Sequence, residues 1–573
     1  MERTGADIIV EYLQREGIMH IFGVLGSAVL DLMDSLARQN QTCPEERRIR
    51  YIPVQHEQAA AFAADGMARL TGKPAVCMCT VGPGATNATS GIAQAWAESS
   101  PVIALFGDVS TQHKGKGAST FHEIDQQGVF RPISKASIRL ERGDRIIETL
   151  QQAFRIASAP RMGPVVLNIP RDIQRATWEY TMPDDMTAYR STGRVRGDAR
   201  EIERAARLLR EAKSPVILAG SGVRWAKCQP DVIALAEMLD APIVVSKKGT
   251  ISDFEPYCAG IIGTTSSPVA SEVIQAADVI LALGCTFSQV MTASYGNKVI
   301  PAGAKIIHVD IDPTEIGKSY AVAVGFVADA KSAIDDLLFS IFDLEKANLK
   351  SKIENRKLRL NALTKRKQEF ETALAPLARS NASPLKRLRL LRDLHSVLPE
   401  DAILGAEAGA THSWFIYGYP TRAPILEPGD FSNMGSAYCM AMGAAALYPE
   451  RVVASVTGDG AFMMVLNELA TCVAQQLNVI AVIPHNNLYG NMFNKQIKNF
   501  ARRHLGTQLY IPNLAEVARA FGAHGERVER AEELVPALRR ALASGKPAVV
   551  DVLIENSDEE YEPPTKLRVP DRY

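Results

Sequence analysis

No run of 18 apolar residues occurs in these 573 residues, so nothing in the chain reads as a membrane-spanning helix. The N-terminal MERTGADIIVEYLQREG mixes charges with apolar residues at helical spacing and lacks the apolar block of a secretory signal. Charge of one sign is missing too: Lys+Arg and Asp+Glu both number 64. That balance leaves little field for steering a polyanion, so neither nucleic acid nor a membrane surface is expected as a partner. Cysteine is sparse, at eight residues, and the one close pair, Cys77 and Cys79, has the i, i+2 spacing of a strand. This excludes a zinc knuckle or redox pair and fits reduced, buried thiols in a cytoplasmic protein. The ten histidines form no ligand cluster, and there is no low-complexity segment or short-period repeat.

What is present is a repeated alternation of short apolar runs and amphipathic segments of helical period. PAVCMCTV, PVIALFGDV and PVVLNIPRD read as buried strands in the first third. SPVILAGSG, APIVVSKKG, DVILALG and AKIIHVDID do so in the middle, and AILGAEAG, VVASVTGDG, NVIAVIPHNN and PAVVDVLI in the last third. Near-continuous apolar strands between helices predict parallel sheets covered on both faces. The fold class is therefore α/β, with three doubly wound parallel-sheet domains, over 1–180, 195–345 and 380–560. The polar stretch Met182–Asp198 reads as a linker. The charged segment Asp343–Thr372, which has no wide apolar stripe, reads as a solvated helical connector.

Three features carry chemistry. Gly458-Asp459-Gly460 ends an apolar strand, and His485-Asn486-Asn487 ends the next. The 26 residues between Asp459 and Asn486 suffice for one crossover helix, which would bring the two strand ends side by side. A carboxylate and an amide oxygen at the C-terminal edge of a parallel sheet suit Mg²⁺ and a phosphate; an ordinary GDG turn is the plainer reading. Second, Glu57 in His56-Glu57-Gln58 opens an Ala-rich helix. It is either an exposed helix-start carboxylate or a buried one able to give a hydrogen bond to a heterocycle. Third, Gly82-Pro83-Gly84-Ala85-Thr86-Asn87 joins a strand to a helix, as an anion site or simply a tight turn.

Together these motifs resemble the thiamine-diphosphate enzyme superfamily, in its acetohydroxyacid (acetolactate) synthase-like branch. HEQAAAFAADGMAR, GPGATNATSGIAQAW, GPVVLNIPRD, KIIHVDIDPTEIGK and GDG…HNN stand in that family's order over nearly the whole chain. The resemblance implies a pyrimidine-binding, a Rossmann-like and a diphosphate-binding domain. It makes Glu57 the acid at N1′ of the aminopyrimidine, so that the 4′-imino group can take the C2 proton. It assigns Mg²⁺ to Asp459, Asn486 and the carbonyl of Leu488, and makes Met434 the wedge that bends the cofactor. Gly409, Ala410 and Thr411 become a diphosphate-facing loop, and Gly26, Asn87, Gly458, Gly460 and Tyr489 become further cofactor contacts. It also implies a homodimer or homotetramer with sites between subunits, and decarboxylation of a 2-oxo acid followed by capture by an aldehyde, ketone or proton.

The sequence departs from the branch where substrate is chosen. CTFSQVMT (Cys285–Thr292) stands where an arginine grips a carboxylate, Lys495 where a tryptophan shapes the acceptor pocket, and His122 where a glutamine precedes a glutamate. His122 becomes a candidate proton donor or acceptor, and with Lys495 a candidate for holding an anionic head. Each could equally be structural. The tail EPPTKLRVPDRY could fold over the site or lie on the surface. The branch's middle domain carries FAD; AGSGVRWA and HVDID fit a dinucleotide domain only loosely, which leaves FAD, another ADP-containing ligand or an empty site open. An acetolactate-synthase-like carboligase is the leading expectation. The alternatives are a 2-oxo acid decarboxylase, and an acyl-transferring or acyl-cleaving relative such as a sulfoacetaldehyde acetyltransferase or a 2-hydroxyacyl-CoA lyase. A nicotinamide dehydrogenase would need a G-x-G-x-x-G opening a helix, which is lacking; Glu57, Asp459 and Asn486 argue against an inactive scaffold.

Overall fold

Residues 2–345, 353–557 and 563 are described by the structure, a computed structural model. Among them, three separate parallel sheets form from the apolar runs. The first orders its strands Arg50–Pro53, His20–Val24, Ala75–Cys79, Val102–Asp108, Val165–Pro170 and Ala136–Arg139. Its inner strands Ala75–Cys79, Val102–Asp108 and Val165–Pro170 are buried at every residue, which is why they read as unbroken apolar runs. The second sheet runs Cys258–Ile261, Ile243–Val245, Pro215–Ala219, Val279–Leu283, Lys305–Asp310 and Val324–Val327. The third runs Ile403–Ala406, Val453–Val456, Val479–His485, Ala548–Leu553 and His524–Val528. A short antiparallel pair, Glu2–Thr4 with Thr177–Glu179, ties the N-terminus to the end of the first unit. Edge strands such as His524–Val528, buried only at its last residue, lack the apolar run that marks a central strand.

The first and third units share one core. Helix Glu57–Thr71 packs on helix Ser436–Leu447, and both are apolar nearly all round. Their contact is made of small residues: a Cβ on Gly66 would meet the Met440 carbonyl oxygen at 2.6 Å, and one on Gly443 would run into that of Ala63. Such close backbone approach accounts for the Ala-rich composition, since larger side chains would hold the helices apart.

The charged connector is less solvated than its composition predicts. Its residues 346–352 lie outside the described ones, but Ile353–Ala378 is helical and lies on the middle unit. Leu363 is buried there, Arg359 donates to the carbonyls of Lys213 and Asp240, and Lys367 donates to those of Asp253 and Glu255. Long polar side chains thus replace the apolar stripe that sequence periodicity looks for. Met182–Asp198 holds only one turn of 3₁₀ helix, Met186–Tyr189. Apart from Pro563, the tail from 558 lies outside the described residues. No helix among the described residues is long and apolar enough to cross a membrane.

The helix contact is testable. Gly443→Val should cost about 1–3 kcal/mol or more by overpacking, and should loosen the first unit from the third. Chemical denaturation would register this as a lowered or split transition; an unchanged transition would refute the contact.

Candidate functional site

Two clusters emerge, one in the first unit and one in the third. In the third, strands Val453–Val456 and Val479–His485 are parallel neighbours, so Asp459 and Asn486 emerge beside each other, as the spacing predicts. Asp459 is 2% exposed; its Oδ2 accepts the N–H of Asn486 at 2.9 Å and of Asn487 at 2.7 Å, and Oδ1 accepts that of Gly460 at 2.8 Å. Burial pushes its carboxyl above the usual range, and those N–H groups pull it back. The turn is set by Asn487 at φ +58°, a residue type that tolerates the left-handed region, whose Oδ1 accepts from Ile511 N–H. His485 is pinned by Asp551, Nδ1 to Oδ1 at 2.7 Å.

A cavity of about 450 Å³ opens beside Asn486; Gly460 lines it, while Asp459 and Gly458 lie behind its lining residues. Gly409, Ala410 and Thr411 line one part of it, with Met434; Gly460, Asn486, Leu488 and Tyr489 line the other. Gly409 has φ +110° and nothing within reach of a Cβ, so the start of helix Ala410–Gly418 is left open to a ligand. Gly458 likewise has no heavy atom within 4 Å of an added Cβ. The Nδ2 of Asn486 is buried without a hydrogen-bond partner among the described residues, while its Oδ1 accepts Leu488 N–H at 3.3 Å. An orphaned amide beside a buried carboxylate is what a polar ligand would complete. Among the described residues no group of three or more His, Cys, Asp and Glu could hold a metal. The oxygens that Asp459, Asn486 and the backbone present here are of the hard type.

In the first unit, Glu57 begins its helix and is 8% exposed, which decides for the buried reading. Its Oε2 accepts from Asn87 Nδ2 at 3.0 Å. Gly84 lies against the Glu57 carboxyl and Thr80, Gly26 lies against Thr80, and Gly82, at φ +67°, lies against the backbone of His122. Gly26, Glu57, Asn87 and His122 are thus gathered at one turn. His122 has φ +65°, its ring stacks on Phe121 at 3.7 Å, and its Nδ1 is buried without a partner among the described residues. Gly82 N–H donates to Gln126 Oε1 at 2.7 Å, which fixes the start of the Gly82–Asn87 turn.

Glu57 is not among the residues lining the cavity at Asn486. Cys285–Thr292 does not reach it either: Cys285, Phe287, Met291 and Thr292 are buried in the middle unit. At that unit's sheet edge Gly220 and Gly222 pack against Gly284, and Lys247 is tied to Glu98 at 3.1 Å. The absence of a Cβ at these glycines lets the turns after two neighbouring strands approach closely. Lys495 stands half-buried on helix Gly490–Asn499, just beyond the cavity-lining Gly490 and Asn491.

Sequence reasoning missed several groups. Arg387, 2% exposed, lines the cavity from a helix whose charged composition carries no motif. Glu407 and Glu468, each buried, could have been noticed as lone acids in the apolar runs AILGAEAG and LNELATCV. Glu407 accepts from the N–H of Ala408 and Ala437, and burial pushes its carboxyl up to about 7.

The three parallel-sheet α/β units match the domain architecture of a thiamine pyrophosphate enzyme. Family profiles described as its N-terminal TPP binding domain, central domain and C-terminal TPP binding domain match residues 3–129, 202–337 and 407–552. The chain belongs to this family, and within it to the acetolactate-synthase-like branch. It is 34% identical to a probable acetolactate synthase large subunit of Methanocaldococcus jannaschii, over 97% of this chain and 92% of that one. It is 30% identical to the acetolactate synthase large subunit of Haemophilus influenzae, over 99% and 96%. It is also 30% identical to an acetolactate synthase isozyme 1 large subunit of Escherichia coli, over 97% and 95%.

The Glu407 carboxyl yields a pH prediction. The folded state holds its proton more tightly than the unfolded chain, so its contribution to stability falls as pH rises from about 4.5 to about 7. Glu407→Gln lacks that slope. Its stability relative to wild type should rise by about 2–3 kcal/mol between about pH 5 and about pH 8, as denaturant titrations would measure; a pH-independent difference would refute it.

Proposed function

We propose that this chain is a Mg²⁺-requiring, thiamine-diphosphate-dependent carboligase that transfers the acyl unit of a 2-oxo acid to a second carbonyl compound. The observation that carries the reading is the cavity at Gly460 and Asn486, with its open glycine turn at Gly409 and its orphaned amide, beside the buried Asp459. The oxygens of Asp459, Asn486 and the Leu488 carbonyl would hold Mg²⁺, a hard cation that takes such donors. Gly409, Ala410 and Thr411 would face the diphosphate, with Gly458, Gly460 and Tyr489 beside it. When bound, the cofactor supplies the electron sink that lets a bond next to a carbonyl break. Glu57, oriented by Asn87, would hold the proton at N1′, and Met434 would press the cofactor into its bent form.

The separation of Glu57 from the cavity supports a site built by two chains. Glu57, Gly26, Asn87 and His122 of one subunit would close over the cavity of another, which implies a homodimer or homotetramer. The relatives named as acetolactate synthases support carboligation. A second reading, a plain 2-oxo acid decarboxylase or acyl-transferring relative, is favoured by one observation: no arginine stands at Cys285–Thr292, where Cys285, Phe287, Met291 and Thr292 are buried in the middle unit. His122 and Lys495 would then be the groups that meet the substrate's polar end.

Thiamine diphosphate with Mg²⁺ should raise the thermal midpoint by several degrees, and neither alone should match the pair. Glu57→Gln should keep cofactor affinity while cutting turnover by at least about 100-fold; a fully active variant would end its assigned role. Product mass spectrometry over 2-oxo acids, sulfoacetaldehyde and 2-hydroxyacyl-CoAs separates the readings. Acetolactate from pyruvate alone is the expected product, and release of a free aldehyde as sole product favours the decarboxylase.

A further inference from the structure

Glu468 lies outside the cavity, yet among the described residues it is the carboxylate of the third unit that hydrogen-bonds the segment just before Glu57. It opens helix Glu468–Gln475 and is 0% exposed. Its Oε1 accepts the backbone N–H groups of Gln55 at 3.1 Å and His56 at 3.0 Å. Its Oε2 accepts from Thr471 Oγ1 at 2.8 Å and from Gln55 N–H at 3.2 Å. Both oxygens are therefore spent on fixing the two residues before Glu57 and on the helix's own first turn. The far end of the same helix receives Arg50 through the Gln475 carbonyl, so residues 50–56 are held at both ends.

The residue type matters. An ionised carboxylate only accepts, and both of its oxygens can meet N–H groups at once, whereas an amide would turn its NH₂ toward one of them. Burial disfavours the charge, pushing the Glu468 carboxyl up to about 7. A helix contact serving packing alone would avoid that cost with an apolar side chain. His56, the extended residue before the helix, accepts Gln58 N–H with its ring Nδ1, so the entry to the helix is fixed on both sides of Glu57.

We propose that Glu468 is a positioning residue for Glu57: it clamps the backbone of Gln55 and His56 while Asn87 orients the Glu57 carboxyl. This rests on the role given to Glu57 above. It also makes the active-site acid of the first unit depend on the third unit of its own chain.

The test is hydrogen–deuterium exchange at C2 of bound thiamine diphosphate, read by NMR without substrate, alongside cofactor affinity and thermal midpoint. Glu468→Gln should slow exchange by about tenfold while affinity changes by less than about threefold. In a Glu57→Gln background it should slow exchange no further, because the group it positions is gone. A wild-type exchange rate in Glu468→Gln, or an equal further loss in the Glu57→Gln background, overturns the proposal and leaves the functional reading standing. No cofactor-dependent exchange in the wild type overturns both. Should Glu468→Gln fail to fold, Thr471→Val removes a single bond from the carboxylate. It should slow exchange about two- to fivefold, and an unchanged rate there overturns the proposal.

Discussion

The close contact between helices Glu57–Thr71 and Ser436–Leu447 is the constraint on which the rest depends. It joins the first and third units through alanine and glycine faces, where Gly66 and Gly443 meet the backbone of the opposite helix. Asp65, wholly buried in this layer, is held by Arg69 at 2.6 and 2.8 Å and by Gln94 at 2.9 Å. Arg69 in turn reaches the Glu427 carbonyl of the third unit. The helix that carries Glu57 is therefore held along its length by the third unit. Its position is a property of two domains, and its first residue cannot drift without disturbing their shared core.

Polar groups at the unit junctions follow the same logic. Lys247 of the middle unit meets Glu98 of the first and stands 3.8 Å from Asp430 of the third. Glu427 accepts from His412, and the cations around it hold its carboxyl down to about 2 against the cost of burial. Such pairs add little net stability, but removing one partner strands a buried charge, so they specify how the three units dock. The glycine-lined cavity is the opposite case. There the donors are buried but not all satisfied, and that is what marks it as a place for a ligand.

Much of this was legible in the residues. The inner strands read as apolar runs because both of their faces are covered, and the Asp459–Asn486 spacing implied neighbouring strand ends, which the third sheet contains. Edge strands such as Arg50–Pro53 and His524–Val528 were not legible, since partial exposure breaks the run that identifies a strand. The helix Ile353–Ala378 was read as solvated because arginine and lysine tips bonded to carbonyls look, in sequence, like any other surface charges. Arg387 and Glu468 were missed because each acts at a distance in sequence, one beside Ile554 at the cavity and the other on Gln55 and His56.

By itself the sequence determined the α/β class and the thiamine-diphosphate family, and it singled out Glu57, Asp459 and Asn486 as the residues proposed to carry the chemistry. These depend on local order: strand, glycine turn and polar residue follow one another within a few positions. Tertiary structure decided which groups stand together. It buried Glu57 against Asn87, opened a cavity between Gly409 and Asn486, drew Cys285, Phe287 and Met291 into the middle unit's core, and set Glu468 beneath the residues before Glu57. Those outcomes depend on contacts between residues hundreds of positions apart, made where surfaces from different units exclude water, and no spacing within one segment encodes them.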